Sequence, residues 1–303
     1  MKEIESWKNE KWIQNSKIGA DLWDAHYFFG WTVFEALRTY KHTVLSLEEH
    51  IDRLYRSAKL AEIDLTMSKA IMISLIYEVM HHNSKFFSDD EEYRIMVFVS
   101  PGYFKIYEDM GKPETIVTIN VTTVSRYAKQ VVPFLDKGVT GVISSQTQIP
   151  SRFLNPKIKS CSRLHYGIAD AEASRYGGMP ILLDEHGHLA ESTGANIAFF
   201  KDGIMHLPCD KNILHGCTMK IIEKLPVRIG IDRNDWDVYD ILDSDGLLFT
   251  STFFGLLPCY KIIYRNKEYT LTGKAKCHIA NITNEFSKFV GVDINQQWRD
   301  WYK

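Results

Sequence analysis

The sequence predicts an α+β protein of two domains, and three observations support this prediction. With 303 residues, the chain is long enough for two modest domains that each bury a core. Patterns typical of helices and of strands occur in both halves of the chain. Both patterns stop between about Ser125 and Lys137, around Pro133. We therefore expect a small N-terminal domain over residues 1–128 and a large C-terminal domain over residues 129–303.

The N-terminal half is predicted to begin with a β-hairpin and a helix. Aromatic and β-branched residues from Phe28 to Tyr40 indicate one strand, and Val44 to Leu47 indicates a second. Ser46 and Glu49 have the spacing of a capping box, which predicts that a helix starts there. The other expected elements are a helix over Ser68 to His81 and strands over Tyr93 to Val99 and Thr115 to Val121.

The C-terminal half is predicted to contain strands separated by helices and tight turns. Gly177 and Gly178 follow a helical pattern and suit a left-handed helix end. Asp202 and Gly203 are typical of a two-residue hairpin turn. The expected elements are strands over Gly138 to Ser144, Pro180 to Leu183 and Asn196 to Phe200, with helices over Ser162 to Tyr176 and from Gly216 onwards.

The composition excludes several classes of function. A formal net charge of -2 provides no broad basic field, so we expect no nucleic-acid partner. The five cysteines are scattered without a Cys-x-x-Cys pair, which favours a reducing compartment. No apolar run approaches the length of a membrane span, and the charged N-terminus lacks the apolar core of a signal peptide. Since the histidines also lack metal-ligand spacing, we expect a cytoplasmic protein with no membrane partner and no metal site.

Lys159 and Glu191 are the residues that first point to a specific chemistry. An amine and a carboxylate in one pocket can hold pyridoxal 5'-phosphate, the amine through a Schiff base and the carboxylate at the pyridine nitrogen. Taken alone, any one lysine is more commonly a solvated surface residue, which is what we expect of the neighbouring Lys157. The sequence around Lys159 therefore decides whether this interpretation holds.

Five segments resemble the class IV pyridoxal-phosphate aminotransferases. This family includes branched-chain aminotransferases, D-amino acid aminotransferases and aminodeoxychorismate lyases. The order and spacing of the five segments cover most of the chain. They are Phe29 to Arg38 with Glu49 to Leu54, Ile158 to Ser160 with Ala171 to Ala173, Glu191 to Phe199, Ile213 to Thr218, and Thr250 to Thr252 with Leu257-Pro258. The resemblance implies fold type IV, with a small α/β domain and a larger barrel-like α/β domain, and it implies a homodimer.

The resemblance also implies a role for each candidate cofactor residue. Lys159 is the Schiff-base lysine, which later acts as the base that moves the proton of the substrate Cα. Glu191 faces the pyridine nitrogen, and Asn196 supports the cofactor site. The residues expected around the phosphate are Arg53, Cys217, Thr218, Ser251 and Thr252. A guanidinium fork, hydroxyls and the backbone N–H groups of a helix start are all suited to phosphate oxygens.

Substrate recognition is expected to involve Phe29, Phe34 and Arg94, by resemblance to the branched-chain enzymes. D-amino acid aminotransferases tend to have an Arg-x-His pair after the strand that contains Arg94, and this chain has none there. The chain also departs from the branched-chain pattern. Where those enzymes have Asn-Tyr after the lysine, it has Ser162-Arg163-Leu164, and either Tyr166 or Tyr27 is left to replace the missing phenol.

The expected reaction is a ping-pong transamination. An amino group passes from an amino acid, of the L-branched-chain or a similar type, to the cofactor and then to a 2-oxo acid such as 2-oxoglutarate. The alternatives are an aminodeoxychorismate lyase-type elimination and a D-amino acid or amine transaminase. A cofactor-binding protein without turnover is a further alternative, because of the missing tyrosine.

Overall fold

The computed structural model describes residues 3–19, 21–107, 109 and 114–303. Its residues cluster into two compact units. The first comprises Met1–Arg126 and Ile158–Arg163, and the second comprises Tyr127–Lys157 and Leu164–Lys303. Helices and strands occur in both units, as an α+β fold requires.

The first unit is built on a six-stranded antiparallel sheet with the strand order β2-β1-β6-β5-β3-β4. Its strands are β1 (Glu5–Lys8), β2 (Lys11–Gln14), β3 (Val33–Tyr40), β4 (Thr43–Val44), β5 (Tyr93–Ser100) and β6 (Ile116–Thr123). Its helices are α1 (Ala25–Phe29), α2 (Leu47–Leu60) and α3 (Lys69–Asn83).

One face of this sheet forms the core of the first unit. Val33, Leu37, Ile95 and Val97 are fully or almost fully buried, and they alternate along β3 and β5 with less buried residues. Apolar residues of α2 and α3 belong to the same core cluster. Glu35 also lies on the core-facing side of β3, between Val33 and Leu37 on the same face. Its carboxylate is therefore out of contact with solvent.

The start of α2 differs from the prediction. The helix begins immediately after Ser46, as expected, but Ser46 has a φ of 49° and its side chain makes no cap hydrogen bond. The predicted capping box is therefore wrong. Ser46 instead occupies the turn that links β4 to α2, where a left-handed backbone is needed.

The segment Ile158–Arg163 clusters with the first unit, although the sequence places it beyond the predicted boundary. Phe34 N donates to Lys159 O at 2.9 Å, and Cys161 N donates to Thr32 O at 2.8 Å. These long-range backbone bonds continue the edge of β3, and no local pattern in the sequence reports them.

The second unit contains an eight-stranded mixed sheet with the order β11-β10-β9-β12-β13-β7-β8, in which β14 also pairs with β13. Its strands are β7 (Val139–Thr147), β8 (Met179–Leu183), β9 (Asn196–Lys201), β10 (Ile204–Pro208), β11 (Gly230–Asn234), β12 (Gly246–Ser251), β13 (Gly255–Tyr264) and β14 (Lys267–Thr270). Its helices are α4 (Ala128–Leu135), α5 (Leu164–Ser174), α6 (Cys217–Ile222), α7 (Val238–Leu242), α8 (Lys276–Val290) and α9 (Ile294–Tyr302).

Two turn predictions for this unit are confirmed. The break that the sequence predicted around Pro133 is absent, because a helix continues through this residue. Gly177 has a φ of 60° just after α5, and Asp202 and Gly203 both have positive φ between β9 and β10. Pro133, which indicated a break, lies inside α4. A proline in so short a helix removes one hydrogen bond near its C-terminal end, and the helix persists because its apolar face is buried.

Within the described part of the chain, no helix is both long enough and apolar enough to cross a membrane. The same residues contain no group of three or more histidine, cysteine or acidic side chains arranged to hold a metal ion.

Candidate active site

Arg53 lies at the centre of a buried charge cluster in the first unit. Its Nε donates to Glu35 Oε1 at 2.7 Å and its Nη2 donates to Glu35 Oε2 at 2.8 Å. His50 Nδ1 lies 2.7 Å from Glu35 Oε2, and because a carboxylate only accepts, Nδ1 is the donor in this contact. The guanidinium is therefore held by two bonds to one carboxylate, which fixes its plane.

The ionised form of Glu35 is stabilised by this arrangement. Burial by itself raises the pKa of the carboxyl, because desolvation disfavours the charge. The positive charge of Arg53 and the hydrogen bonds from Arg53 and His50 outweigh burial, so the pKa of Glu35 lies well below its usual value. Glu35 thus remains a carboxylate and keeps Arg53 in place.

Lys159 is held by the helix that carries Arg53. The backbone N–H of Lys159 donates to Ser57 Oγ at 3.1 Å, and Ser57 lies one turn after Arg53 on α2. The Nζ of Lys159 lies 4.9 Å from the centroid of the Phe34 ring, and the guanidinium carbon of Arg163 lies at the same distance from that ring. Phe34 therefore contacts two cationic side chains, one of which is the predicted catalytic amine.

The other two predicted substrate residues lie in different surroundings. Phe29 ends α1, is 54% exposed and contacts the Phe104 ring at a centroid distance of 5.0 Å. Arg94 lies on β5 and lines a cavity of about 520 Å³ in the first unit, together with Phe98 and Thr32. Phe34 is the predicted substrate residue whose ring is seen against Lys159.

Glu191 is the centre of a second buried network, in the second unit. Its Oε1 accepts hydrogen bonds from Tyr166 Oη at 2.7 Å and from Gln148 Nε2 at 2.9 Å. Its Oε2 accepts from the backbone N–H of Leu214 at 3.0 Å and from Asn196 Nδ2 at 3.2 Å. All four of these donors are uncharged. These four hydrogen bonds fix the plane of the carboxylate without themselves bringing a positive charge to it.

Asn196 connects Glu191 to the segment before α6. Besides Glu191, its Nδ2 contacts Leu214 O at 2.9 Å. Its Oδ1 approaches Gly216 so closely that a Cβ there would lie only 1.9 Å from it. Gly216 must therefore lack a side chain for Asn196 to stay in this place.

The predicted phosphate residues of the second unit include a buried hydroxyl that needs a partner. Thr218 is the second residue of α6 and is 2% exposed, and its Oγ1 has no hydrogen-bond partner among the described residues. The Oγ1 of Thr250, on β12, likewise has no partner in that part of the chain. Cys217 is buried at the first position of α6, and Ser251 and Thr252 are half-buried at the end of β12. Buried hydroxyls without a protein partner suit an anionic ligand such as a phosphate.

Lys157 is not the solvated lysine that the sequence led us to expect. Its Nζ donates to the backbone oxygens of Ile213, at 2.7 Å, and of Asp210, and it contacts His215 Nε2 at 3.0 Å. Burial lowers the pKa of this amine. Because an ammonium group can only donate hydrogen bonds, Nε2 of His215 accepts in this contact. Burial and the nearby charge of Lys157 lower the pKa of His215. Lys157 therefore fixes the segment that presents Leu214 to Glu191.

Several residues of these networks were missed in the sequence, although some signals were present. Glu35 occupies a core-facing position of an apolar strand, and a buried carboxylate at such a position requires a nearby cation. His50 and Arg53 are three residues apart on one helix face, which is the spacing that allows both to meet one partner. Gln148 carries no such signal. Tyr166, considered as a replacement for the missing phenol, donates to Glu191 instead, and Tyr27 is 64% exposed.

Comparison with known proteins supports the same family as the motifs. The family model described as amino-transferase class IV matches residues 32–262, which is most of the chain. A protein of Methanocaldococcus jannaschii named "Putative branched-chain-amino-acid aminotransferase" is 30% identical over 270 residues, covering 86% of this chain and 89% of the relative. The D-alanine aminotransferase of Listeria innocua is 24% identical and covers 82% of this chain and 84% of its own.

Solved structures share the fold. The branched-chain amino acid aminotransferase of Escherichia coli matches with a TM-score of 0.81 at 21% identity, covering 96% of this chain and 94% of that chain. The branched-chain amino acid aminotransferase of Thermobaculum terrenum, in its PLP form, matches with a TM-score of 0.78 at 20% identity, covering 99% of this chain and 97% of that chain. These similarities confirm the expected α+β architecture of fold type IV. With a family model that spans most of its length and a relative at 30% identity, this chain is a member of the class IV aminotransferases.

Proposed function

We propose that this class IV aminotransferase binds pyridoxal 5'-phosphate through Lys159 and Glu191. It would then move amino groups between an L-branched-chain or similar amino acid and a 2-oxo acid such as 2-oxoglutarate. The observation that carries the cofactor proposal is the buried carboxylate of Glu191, whose plane is fixed by four uncharged donors. A fixed anion of this kind suits a protonated pyridine nitrogen.

When bound, the cofactor supplies an aldehyde that joins an amine and a ring that withdraws electrons from the substrate Cα. Lys159 Nζ would be the amine that holds the cofactor at rest. Once freed from the cofactor, the same Nζ would be the base that takes up and returns the proton of the substrate Cα. Phe34 packs against this Nζ and restricts where the amine can move.

The phosphate is proposed to bind to Arg53, the hydroxyls of Thr218, Ser251 and Thr252, and the backbone at Cys217. Arg53 supplies a positively charged guanidinium whose plane is fixed by Glu35. Thr218 supplies a buried hydroxyl that has no partner among the described residues. Asn196 supports Glu191 rather than the phosphate.

The preference for L-branched-chain donors is supported by the archaeal relative, which is named for these substrates, and by the absence of an Arg-x-His pair after β5. Phe34 provides an apolar surface beside Lys159, while Phe29 and Arg94 are proposed to act on substrate side chain and carboxylate. D-amino acid transamination is the second candidate, because D-alanine aminotransferases are also relatives, at 24–25% identity. An elimination of the aminodeoxychorismate lyase type remains the third.

We further propose a cytoplasmic homodimer whose two domains span residues 1–128 and 129–303. The exposed aromatic residues Tyr27, Phe28 and Phe29 on α1 support burial against a second copy of the chain. The cysteines are all free thiols, which fits a reducing compartment.

The role of Lys159 is tested by trapping the cofactor on the protein. Pyridoxal phosphate is added, the complex is reduced with borohydride, and the modified peptide is identified by mass spectrometry. We expect the label on Lys159, and we expect Lys159→Ala to lose both the label and turnover. The control is Lys201→Ala, which removes an exposed lysine paired with Asp243. A label on another lysine in the wild-type protein would show that Lys159 is not the attachment site.

The substrate is tested by single half-reactions. Cofactor-loaded protein is mixed in turn with L-leucine, L-valine, L-glutamate, D-alanine and aminodeoxychorismate, and loss of the visible band is recorded. We expect the three L-amino acids to react. Reaction with D-alanine alone would replace the branched-chain proposal by the D-specific one, and pyruvate release from aminodeoxychorismate would indicate the lyase.

A further inference from the structure

Tyr166 and Gln148 form a closed hydrogen-bonded triangle with Glu191. Tyr166 Oη donates to Glu191 Oε1 at 2.7 Å, and Gln148 Nε2 lies 2.9 Å from both Glu191 Oε1 and Tyr166 Oη. The three residues are between 5% and 8% exposed. Because a carboxylate only accepts, the single proton of the tyrosine hydroxyl is directed to Glu191, and Gln148 donates to both oxygens.

The two oxygens of Glu191 accept from different parts of the unit. Oε1 accepts from Tyr166 and Gln148, whereas Oε2 accepts from Leu214 N and Asn196 Nδ2. The triangle therefore fixes the Oε1 side of the carboxylate, and the segment before α6 holds the Oε2 side. The donor at 3.2 Å, Asn196, also contacts Leu214 O, so it can weaken its bond to Glu191 without losing every acceptor.

Strands and a helix hold Gln148 and Tyr166, the two donors of the triangle, in place. Gln148 directly follows β7, and its backbone N–H donates to Leu183 O of β8 at 2.8 Å. Tyr166 lies in the first turn of α5. The other end of α5 is fixed to β7, because Glu172 accepts bonds from Ser144 Oγ at 2.7 Å and from Ser145 N at 2.9 Å. The hydroxyl and the amide therefore cannot easily follow Glu191 if it turns.

We propose that Tyr166 and Gln148 are positioning residues that lock the plane of the Glu191 carboxylate in the orientation that meets the pyridine nitrogen of the cofactor. This inference rests on the proposed function, since it concerns how Glu191 binds that nitrogen. Without the tyrosine hydroxyl, Oε1 loses one of its two donors in the triangle, the carboxylate turns more easily about its terminal bond, and the charge-assisted bond to the ring loses alignment.

The test uses Tyr166→Phe with two cofactors. The first is pyridoxal 5'-phosphate, and the second is its 1-deaza analogue, in which a C–H group replaces the ring nitrogen. We expect Tyr166→Phe to weaken binding of the natural cofactor by about tenfold, measured by equilibrium dialysis, and to shift its visible absorption band. Binding of the deaza analogue should change less than twofold, because it has no nitrogen for Glu191 to meet.

Tyr176→Phe is the matched control, because it removes a hydroxyl that donates to Asn266 at 2.5 Å, at the surface just beyond α5. Gln148→Met is a second variant, expected to show the same selective loss. Equal weakening of both cofactors by Tyr166→Phe, or no weakening of either, overturns the inference. If the wild-type protein itself binds both cofactors equally, the proposed role of Glu191 fails instead, which separates the two conclusions.

Discussion

Glu35 in the first unit and Glu191 in the second are both buried carboxylates, and the two are held in opposite ways. Glu35 is bonded to the guanidinium of Arg53 and to His50. Glu191 is bonded to a phenol, two amides and a backbone N–H, all uncharged. Charge partners within the chain make Glu35 a structural anion that orients another residue. Uncharged donors orient Glu191, as the proposed bond to a protonated ring nitrogen requires. Burial alone therefore does not distinguish the two roles, whereas the charge of the donors does.

The largest expected effect comes from breaking the first of these networks. Glu35→Gln leaves the charge of Arg53 buried beside a neutral amide. We expect a loss of about 3–5 kcal/mol in the free energy of unfolding, because one partner of a buried ion pair has been removed. Urea denaturation of the wild-type protein and the variant measures this difference in the free energy of unfolding. Glu268→Gln, at an exposed pair with Lys261, is the control and should change stability by less than about 1 kcal/mol. A similar small change for Glu35→Gln would contradict the structural role.

The second prediction concerns the other carboxylate. Glu191→Gln keeps the shape of the side chain but removes the negative charge that the ring nitrogen needs. We expect kcat to fall roughly 10²–10³-fold, as when a preorganised electrostatic group is lost from an active site. Stability should change much less than in Glu35→Gln, because the amide can still meet uncharged donors, whereas Glu35→Gln breaks a bidentate bond to a buried guanidinium. Steady-state kinetics and urea denaturation of the same two variants give the comparison directly. A large stability loss with unchanged kcat would reverse the two roles.

The third prediction uses pH to sharpen the comparison. The pKa of Glu35 is lowered in the folded protein from a reference value of 4.5. Below about pH 4.5 the unfolded chain therefore binds a proton at this site while the folded protein does not. Stability from Glu35 is complete above that pH and falls, by up to about 1.4 kcal/mol for each pH unit, as the pH drops towards the folded pKa. Urea denaturation between pH 6 and pH 3 measures the slope, which should be shallower in Glu35→Gln.

The smallest expected effect concerns the segment that carries Leu214. Lys157→Met removes the amine that holds the backbone oxygens of Asp210 and Ile213. We expect a loss of about 1 kcal/mol in stability, since two backbone acceptors lose their donor. Lys211→Met is a matched control from the same segment, because Lys211 makes an exposed ion pair with Asp235. Equal effects of the two substitutions in thermal denaturation would show that Lys157 is the surface residue the sequence suggested.

Local sequence signals predicted several turns, although the capping box at Ser46 was wrong. The left-handed residues at Gly177 and at Asp202-Gly203 followed from glycine and turn chemistry, which act over a few residues. The family and its fold followed from the order of five motifs, since their spacing leaves few alternative arrangements. These predictions needed no knowledge of which distant residues meet.

Several features that the sequence did not predict depend on contacts between residues far apart in the chain. Lys157 bonds residues more than fifty positions away, and Ile158–Arg163 joins β3 from across the predicted boundary. Gln148 and Tyr166 become neighbours of Glu191 only when β7 and α5 are in place. Pro133 illustrates the converse, because burial of an apolar helix face overrode a strong local signal for a break.

The position of Ser57 one turn after Arg53 has a mechanical consequence. Arg53 is a residue of α2, and Ser57 of the same helix accepts a hydrogen bond from the backbone of Lys159. A rigid displacement of α2 therefore moves the guanidinium and the Lys159 backbone together. The separation between the Arg53 guanidinium and the backbone of Lys159 is then set by the pitch of one helix. We expect motions in other parts of the chain to leave this separation unchanged, so that α2 acts as a rigid spacer in the candidate site.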